Sequence, residues 1–324
     1  MPNHIDLESR AMADHQLDAR PEHLFWGYFD ATTPAVLSVD SGDVVRFTCL
    51  PAGIEARLPP DRTGVREDHL RALAEKADDR GSGSHLMTGP VHVRGAEPGD
   101  VLQVDVLSVR PIQDWGYTAI LPLRGALPDE FTDYEHLHVA VDVKAGTCTL
   151  PWGRTLPLDP FFGVMACAPP PAWGRVGSNE PRAFGGNMDN KELRPGSTLY
   201  LPVFNAGALF SAGDGHGRQG DGEVCIAALE TALEGELRLS VRKDMTLASP
   251  FAETAELLIS MGFHESLDEA MRKAVRDMVG LVTARSSLTR NQAYMLLSLA
   301  GDLRITQVVD GEKGVHMVLR KDWI

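Results

Sequence analysis

The chain has 324 residues, enough to bury a large core as one big domain or two closely packed ones. With 43% hydrophobic and 23% charged residues, it has the composition of a soluble globular protein and not of a fibre or a disordered chain. The net charge of −14 argues against nucleic acid or an anionic membrane as a partner, because either requires a basic face, and it is compatible with a small uncharged substrate.

Residues 1–20 are polar and read as a flexible leader. They lack the basic and apolar pattern of a signal peptide, and no segment reaches the roughly 18 apolar residues of a membrane span, so the expected location is cytoplasmic. Three turn-then-strand units follow, at 41–49, 98–106 and 195–203. In each, Gly with Asp or Ser makes the turn and β-branched or apolar residues continue with partial period-two alternation. The cleanest strand is 235–244, with Leu237, Leu239 and Val241 on one face and Arg238, Ser240 and Arg242 on the other. Helical composition at 66–77 is stopped by Arg80-Gly-Ser-Gly-Ser84, which reads as a mobile loop leading into His85.

From Ser266 the pattern changes. Ser266-Leu-Asp-Glu269 has the form of a capping box, and Leu267, Ala270, Met271, Ala274, Val275, Met278 and Val279 continue at helical spacing to about Thr283. Thr289-Arg-Asn-Gln292 opens a second helix through Leu299, and strands are expected at 305–309 and 314–319. The predicted fold is mainly β with an α/β C-terminal part: a sandwich- or barrel-like core plus a late helical pair. The expected division is the leader 1–20, a β-rich catalytic domain 21–250 and a smaller α/β portion 251–324 packed on it.

Chemistry concentrates in Gly213-Asp-Gly-His-Gly-Arg-Gln-Gly-Asp-Gly-Glu223, where three carboxylates and a histidine stand among five glycines ahead of the apolar run 224–228. Glycine permits close approach and positive φ, while Asp, His and Glu supply oxygen and nitrogen donors to a divalent ion. A polar hairpin turn has nearly the same composition; the histidine between the acids favours a site. Cys49, Cys148, Cys167 and Cys225 form no Cys-x-x-Cys pair and read as reduced, mostly buried thiols. Cys167 has no local base or positive charge to activate it as a nucleophile.

A second polar loop, Gly185-Gly-Asn-Met-Asp-Asn190, precedes the first. Together with Val164-Met165 ahead of Ala168-Pro169, Thr88-Gly-Pro90, Gly95-Ala-Glu-Pro-Gly-Asp100, the run 291–302, Gln307-Val-Val-Asp310 and Gly314-Val315, it closely resembles the acetamidase/formamidase family of short-chain amide hydrolases. The resemblance spans roughly residues 20 to 320. It implies hydrolysis of a formamide- or acetamide-like substrate to carboxylate and ammonia, and a homodimer or higher homo-oligomer.

Amide hydrolysis needs a nucleophile, stabilisation of the oxyanion and a proton for departing ammonia, and a metal-activated water provides the first and assists the second. The candidate metal ligands are Asp189, His216 and Asp214, with His85 a further candidate whose alternative is a structural hydrogen bond to backbone. Mixed nitrogen and oxygen donors favour zinc or iron. Glu223 is the candidate general base, Asn187 the candidate oxyanion donor, and Asp221 a candidate to ligate the metal or to orient His216. A different linear or cyclic amide, or a non-catalytic metal- or ligand-binding β protein, are the competing expectations.

Overall fold

The structure is a computed structural model that describes residues 14–324, so positions 1–13 of the expected leader lie outside the described residues. The rest of that stretch is not free: Asp14–Leu17 pairs in parallel with Val44–Phe47, and the backbone N–H of Ala19 donates to Thr48 Oγ1 at 2.7 Å. Strands dominate the regular structure, with three α-helices among the described residues, so the fold is mainly β, as expected.

Nine strands form the largest sheet, in the order Asp14–Leu17, Val44–Cys49, Leu233–Arg242, Val101–Pro111, Thr198–Pro202, Phe251–Glu253, Leu257–His264, Lys313–Arg320 and Asp302–Gln307. All three turn-then-strand units therefore lie in one sheet, and the strands after residue 250 extend it. In Leu233–Arg242 the inward Leu233, Leu237 and Leu239 are buried, while outward charges pair across strands, Glu236 with Arg46 at 2.7 Å and Glu234 with Arg110 at 2.7 Å. Such exposed pairs add little stability each, so register comes mainly from the buried leucines.

The second sheet runs Gly185–Asn187, Phe161–Ala166, Phe210–His216, Leu86–Val93 and Leu24–Trp26, with Leu37–Val39 pairing in parallel to Leu86–Val93. Phe162, Met165, Phe210 and Ala212 from this sheet share one core with Val45, Phe47, Val104 and Leu237 from the first, which makes a two-sheet sandwich. Val164 and Ala166 pack into a separate cluster with Phe25, Phe29 and Phe184, so this sheet is buried on both faces. Four further strands, Thr155–Pro157, Thr147–Thr149, Glu135–Asp142 and Trp115–Ile120, form a smaller antiparallel sheet.

The late helices are Leu267–Arg285 and Arg290–Ala300. Ala270, Ala274, Met278 and Val282 bury the first against Leu258, Val315 and Met317 of the large sheet. The Thr289 capping box forms as predicted, with Gln292 N–H donating to Thr289 Oγ1 and Thr289 N–H donating to Gln292 Oε1. Ser266 does not form one: its side chain makes no capping bond, and Glu269 is drawn to Arg272 one turn along. The helical start holds there because the apolar stripe is buried regardless of the cap.

The early helix, Glu67–Glu75, buries His69, whose Nδ1 has no hydrogen-bond partner among the described residues. Burial pushes its pKa down to about 4, against a smaller opposing effect of Asp68. A histidine whose folded pKa lies below its unfolded value stabilises the fold above the unfolded pKa, and that contribution is lost as pH falls toward the folded one. Between roughly pH 7.5 and pH 5 the wild type should therefore lose about 2 kcal/mol more stability than His69→Met. Urea unfolding at the two pH values tests this; equal losses would mean that His69 takes up its proton in the folded state.

Candidate active site

Register in the second sheet assembles the site. Val164 lies opposite both Asn187 and Gly213, Phe162 opposite Gly215 and Phe161 opposite His216, so Asp214 falls across from Gly163 at the point where three strands run side by side. The Gly-rich stretch that reads as a loop is thus a central strand as far as His216, and its glycines answer close packing. A Cβ on Gly213 would lie 2.7 Å from the carbonyl oxygen of Leu86, and one on Gly215 would strike the carbonyl of Thr231 and the Cys49 sulfur. The turn begins only after residue 216, and the apolar run Val224–Ala228 continues it as irregular chain.

Six acidic or imidazole side chains converge there. Asp189, Asp214 and His216 bring ligand atoms within 4.8 Å of one another; so do His216, Glu223 and Glu230, and so do Asp189, Glu223 and Asp310. His216 Nε2 lies 3.2 Å from Asp214 Oδ2 and 3.3 Å from Glu230 Oε1. Asp310 arrives from the turn between the last two strands. The Asp221–Glu223 segment is stitched to that part of the chain, with Gly222 N–H donating to the Thr306 carbonyl and Val308 N–H donating to that of Gly222.

Gln219 sets the imidazole. Its amide nitrogen donates to the backbone carbonyl of Asp189 at 2.8 Å and reaches that of Thr306, so its oxygen must face His216 Nδ1, 2.9 Å away. The proton on Nδ1 is thereby fixed and Nε2 points at the carboxylates, the arrangement that a metal-ligating histidine uses. The Phe161 ring packs edge-on against the imidazole at 5.2 Å and holds its plane.

Burial pushes the carboxyl groups of Glu223, Asp310, Glu230 and Asp189 up, and their crowding on one another pushes the same way. Asp214 is the exception: burial alone would raise it, but His85 and His216 beside it bring it down to about 2. His216 is opposed by burial yet held well above the ordinary imidazole value by Glu230 and Asp214.

Three of these residues carry backbone strain. Asp189, Asp214 and Glu223 have φ of 49°, 57° and 45°, in the left-handed region that L-residues other than Asn and Asp rarely enter. For Glu223, which lacks the tolerance of Asp for this region, the conformation costs on the order of 1–3 kcal/mol, which persists only where the surroundings over-determine it, characteristically at functional sites.

The set fits a divalent cation. Asp189 Oδ1, Asp214 Oδ1, Glu223 Oε2, Glu230 Oε2 and Asp310 Oδ2 are buried without a hydrogen-bond partner among the described residues, a set of orphaned acceptors that a cation would satisfy. Gly163 leaves the space open: a Cβ there would stand 2.5 Å from both Asp189 Oδ1 and Asp214 Oδ2.

Of the residues singled out from sequence, Asp189, Asp214, His216 and Glu223 meet in the cluster, and Asn187 lines the same cavity of about 240 Å³. His85 is buried beside them, with Nε2 3.8 Å from Asp214 Oδ2, but its ring nitrogens are engaged by the hydroxyls of Ser178 and Ser84 at 2.9 and 3.1 Å. Asp221 is not brought in: the turn directs its carboxylate to Lys191 Nζ at 2.9 Å. The loop before His85, expected to be mobile, is tied down by Gly81 N–H to the Trp26 carbonyl and Gly83 N–H to that of Gly27, both at 2.8 Å. Cys167 is fully buried with its thiol pushed up by burial, which removes it as a nucleophile.

Sequence reasoning missed Glu230, Asp310, Gln219 and Gly163. Glu230 had a signal, a lone acid inside the apolar run 224–233, and Asp310 sat within a quoted motif as a plain Asp-Gly turn.

The acetamidase/formamidase family pattern matches residues 24–174 and 176–319, nearly the whole chain. The chain belongs to the acetamidase/formamidase family. It is 27% identical over 263 residues to the formamidase of Methylophilus methylotrophus, covering 65% of this chain and 62% of that protein. It is 28% identical over 198 residues to the acetamidase of Mycolicibacterium smegmatis, covering 43% of this chain and 49% of that one. The match thus spans about half to somewhat under two thirds of the length of these curated relatives. The crystal structure of the acetamidase from Bacillus halodurans superposes with a TM-score of 0.82 at 29% identity, covering 95% of this chain and 98% of that one.

Proposed function

We propose that this acetamidase/formamidase family member hydrolyses the C–N bond of short aliphatic amides to a carboxylate and ammonia. The observation that carries the reading is the convergence of five carboxylates, four of them on buried residues and Asp310 half-buried, and one oriented imidazole, with orphaned oxygens, on one side of a small cavity. Asp189, Asp214 and His216 would hold a divalent ion, zinc or iron by their mixed oxygen and nitrogen donors. When bound, it supplies a water of lowered pKa and polarises the substrate carbonyl.

The protein's own groups do the rest. Glu223, buried and with Oε2 unpaired, takes the proton of the attacking water and returns it to the leaving nitrogen. In that step the water oxygen bonds to the carbonyl carbon, the C–N bond breaks, and the nitrogen departs protonated. Asn187 lines the cavity and donates its amide to the developing oxyanion. His85, fixed by two hydroxyls, keeps Asp214 ionised. Ile226, Ala227 and Val309 give the cavity an apolar wall that limits water around the reacting carbonyl.

Two further features of the reading concern the whole molecule. Four free cysteines, three of them buried, support a reducing, cytoplasmic compartment. Tyr294, Met295 and Leu299 on the last helix, Leu299 being 87% exposed, lie near the edge strand Asp302–Gln307 and support self-association there.

Ammonia release from formamide, acetamide and propionamide tests the activity. Turnover should fall by roughly 10²-fold or more on chelation and return with zinc or iron. Full activity in protein stripped of metal, or no turnover in protein that retains it, would each overturn this reading.

A further inference from the structure

The cavity that holds the acidic cluster is also lined by three arginines, Arg57, Arg80 and Arg124. Asp189, Asp214, Glu223 and Glu230 are buried, whereas Arg57 is half-buried and Arg80 and Arg124 are exposed, so the arginines occupy the outer part and these four acids the inner part.

These arginines are not spent on carboxylates. Elsewhere the chain pairs its arginines with acids, such as Arg94 with Asp40, Arg304 with Glu192 and Arg46 with Glu236. Among the described residues, none of the three cavity arginines lies within ion-pair distance of a carboxylate. That includes Glu180, the remaining acid of the cavity wall, and all five acids of the cluster. Neutralising the acidic floor is therefore not what holds them.

Two of the three are held by aromatic rings. Arg80 stacks over the indole of buried Trp26, 4.6 Å to the ring centroid, on the segment tied down at Gly81 and Gly83. Arg57 stacks over Tyr134 at 4.9 Å and donates one Nη1–H to its hydroxyl at 2.8 Å. Stacking fixes the guanidinium plane and leaves its N–H edge available, which suits bidentate recognition of a carboxylate. Arg124 stands on a turn anchored by Ala126 N–H to the Val224 carbonyl, beside the turn that carries Glu223.

The cavity also exceeds what a simple amide needs. At about 30 Å³ per water, 240 Å³ has room for on the order of eight.

We propose that the preferred substrate is a short amide bearing a carboxylate, a half-amide of a small dicarboxylic acid, with its amide at the acidic cluster and its carboxylate on Arg57, Arg80 and Arg124. This rests on the amide hydrolysis proposed above and names its substrate class. The bond changes are those already given, and the product is the dicarboxylate.

The test compares malonamate and succinamate with malonamide and succinamide, neutral diamides of the same lengths, by ammonia release from zinc-loaded protein. The carboxylate-bearing member should have a kcat/KM about tenfold or more above its neutral partner, an advantage that shrinks at high ionic strength. Arg80→Gln and Arg124→Gln should each reduce that ratio by about tenfold and weaken binding of succinate, read by calorimetry. Turnover of neutral amides with a ratio at or below one would overturn the proposal and leave amide hydrolysis standing. A high ratio indifferent to both variants would overturn the arginine assignment. No ammonia from any amide would remove both this proposal and the activity on which it rests.

Discussion

Glu223→Gln should lower kcat by about 10²–10⁴-fold while leaving metal content at the wild-type level. Glutamine keeps the size and hydrogen-bonding shape of the side chain but accepts no proton, so the loss isolates proton transfer from packing. The position is informative for a second reason: Glu223 belongs to two of the three overlapping triplets, with His216 and Glu230 on one side and Asp189 and Asp310 on the other. A long acidic side chain at φ 45° has no local reason to be there, since glycine would relieve the backbone, so the fold holds it for what its carboxylate does. Steady-state kinetics with metal analysis on the same preparation decides the point. If the variant loses its metal together with its rate, Glu223 is a ligand and not the base; if it turns over normally, proton transfer lies elsewhere.

Gly163→Ala should abolish both metal binding and most activity, a loss of roughly 10²-fold or more in kcat/KM, without unfolding the protein. The added methyl would stand 2.5 Å from a carboxylate oxygen of Asp189, 2.5 Å from one of Asp214 and 3.0 Å from His216 Cε1. None of the three can step aside cheaply, because Asp189 and Asp214 are pinned at positive φ and His216 is held by Gln219 and Phe161. Overpacking of this kind costs about 1–3 kcal/mol, within what a domain of this size tolerates. Circular dichroism and urea unfolding would confirm the fold, and metal stoichiometry would show the loss. A folded variant that binds metal and turns over normally would place the reaction centre somewhere other than between these side chains.

The β character, the late helices and the central acids Asp189, Asp214 and Glu223 with His216 were legible in the sequence, because each rests on local information. Period-two and helical spacing of apolar residues is set by the geometry of a single strand or helix, and an acid beside a histidine among glycines carries its chemistry with it. What glycine means is not local. The same Gly-rich run reads as a turn, yet at Gly213 and Gly215 it marks a strand pressed against its neighbours, and only the tertiary contacts distinguish the two. Asp221 and Asp310 make the point in opposite directions. Both sit in Asp-Gly pairs; the turn carries Asp221 out to Lys191, while the return of the large sheet carries Asp310 in, from more than eighty residues beyond His216 in sequence. Sequence determined which side chains could take part in this chemistry; the packing of two sheets decided which of them meet, because proximity between distant segments is set by burial of the apolar faces and not by the polar residues they bring together.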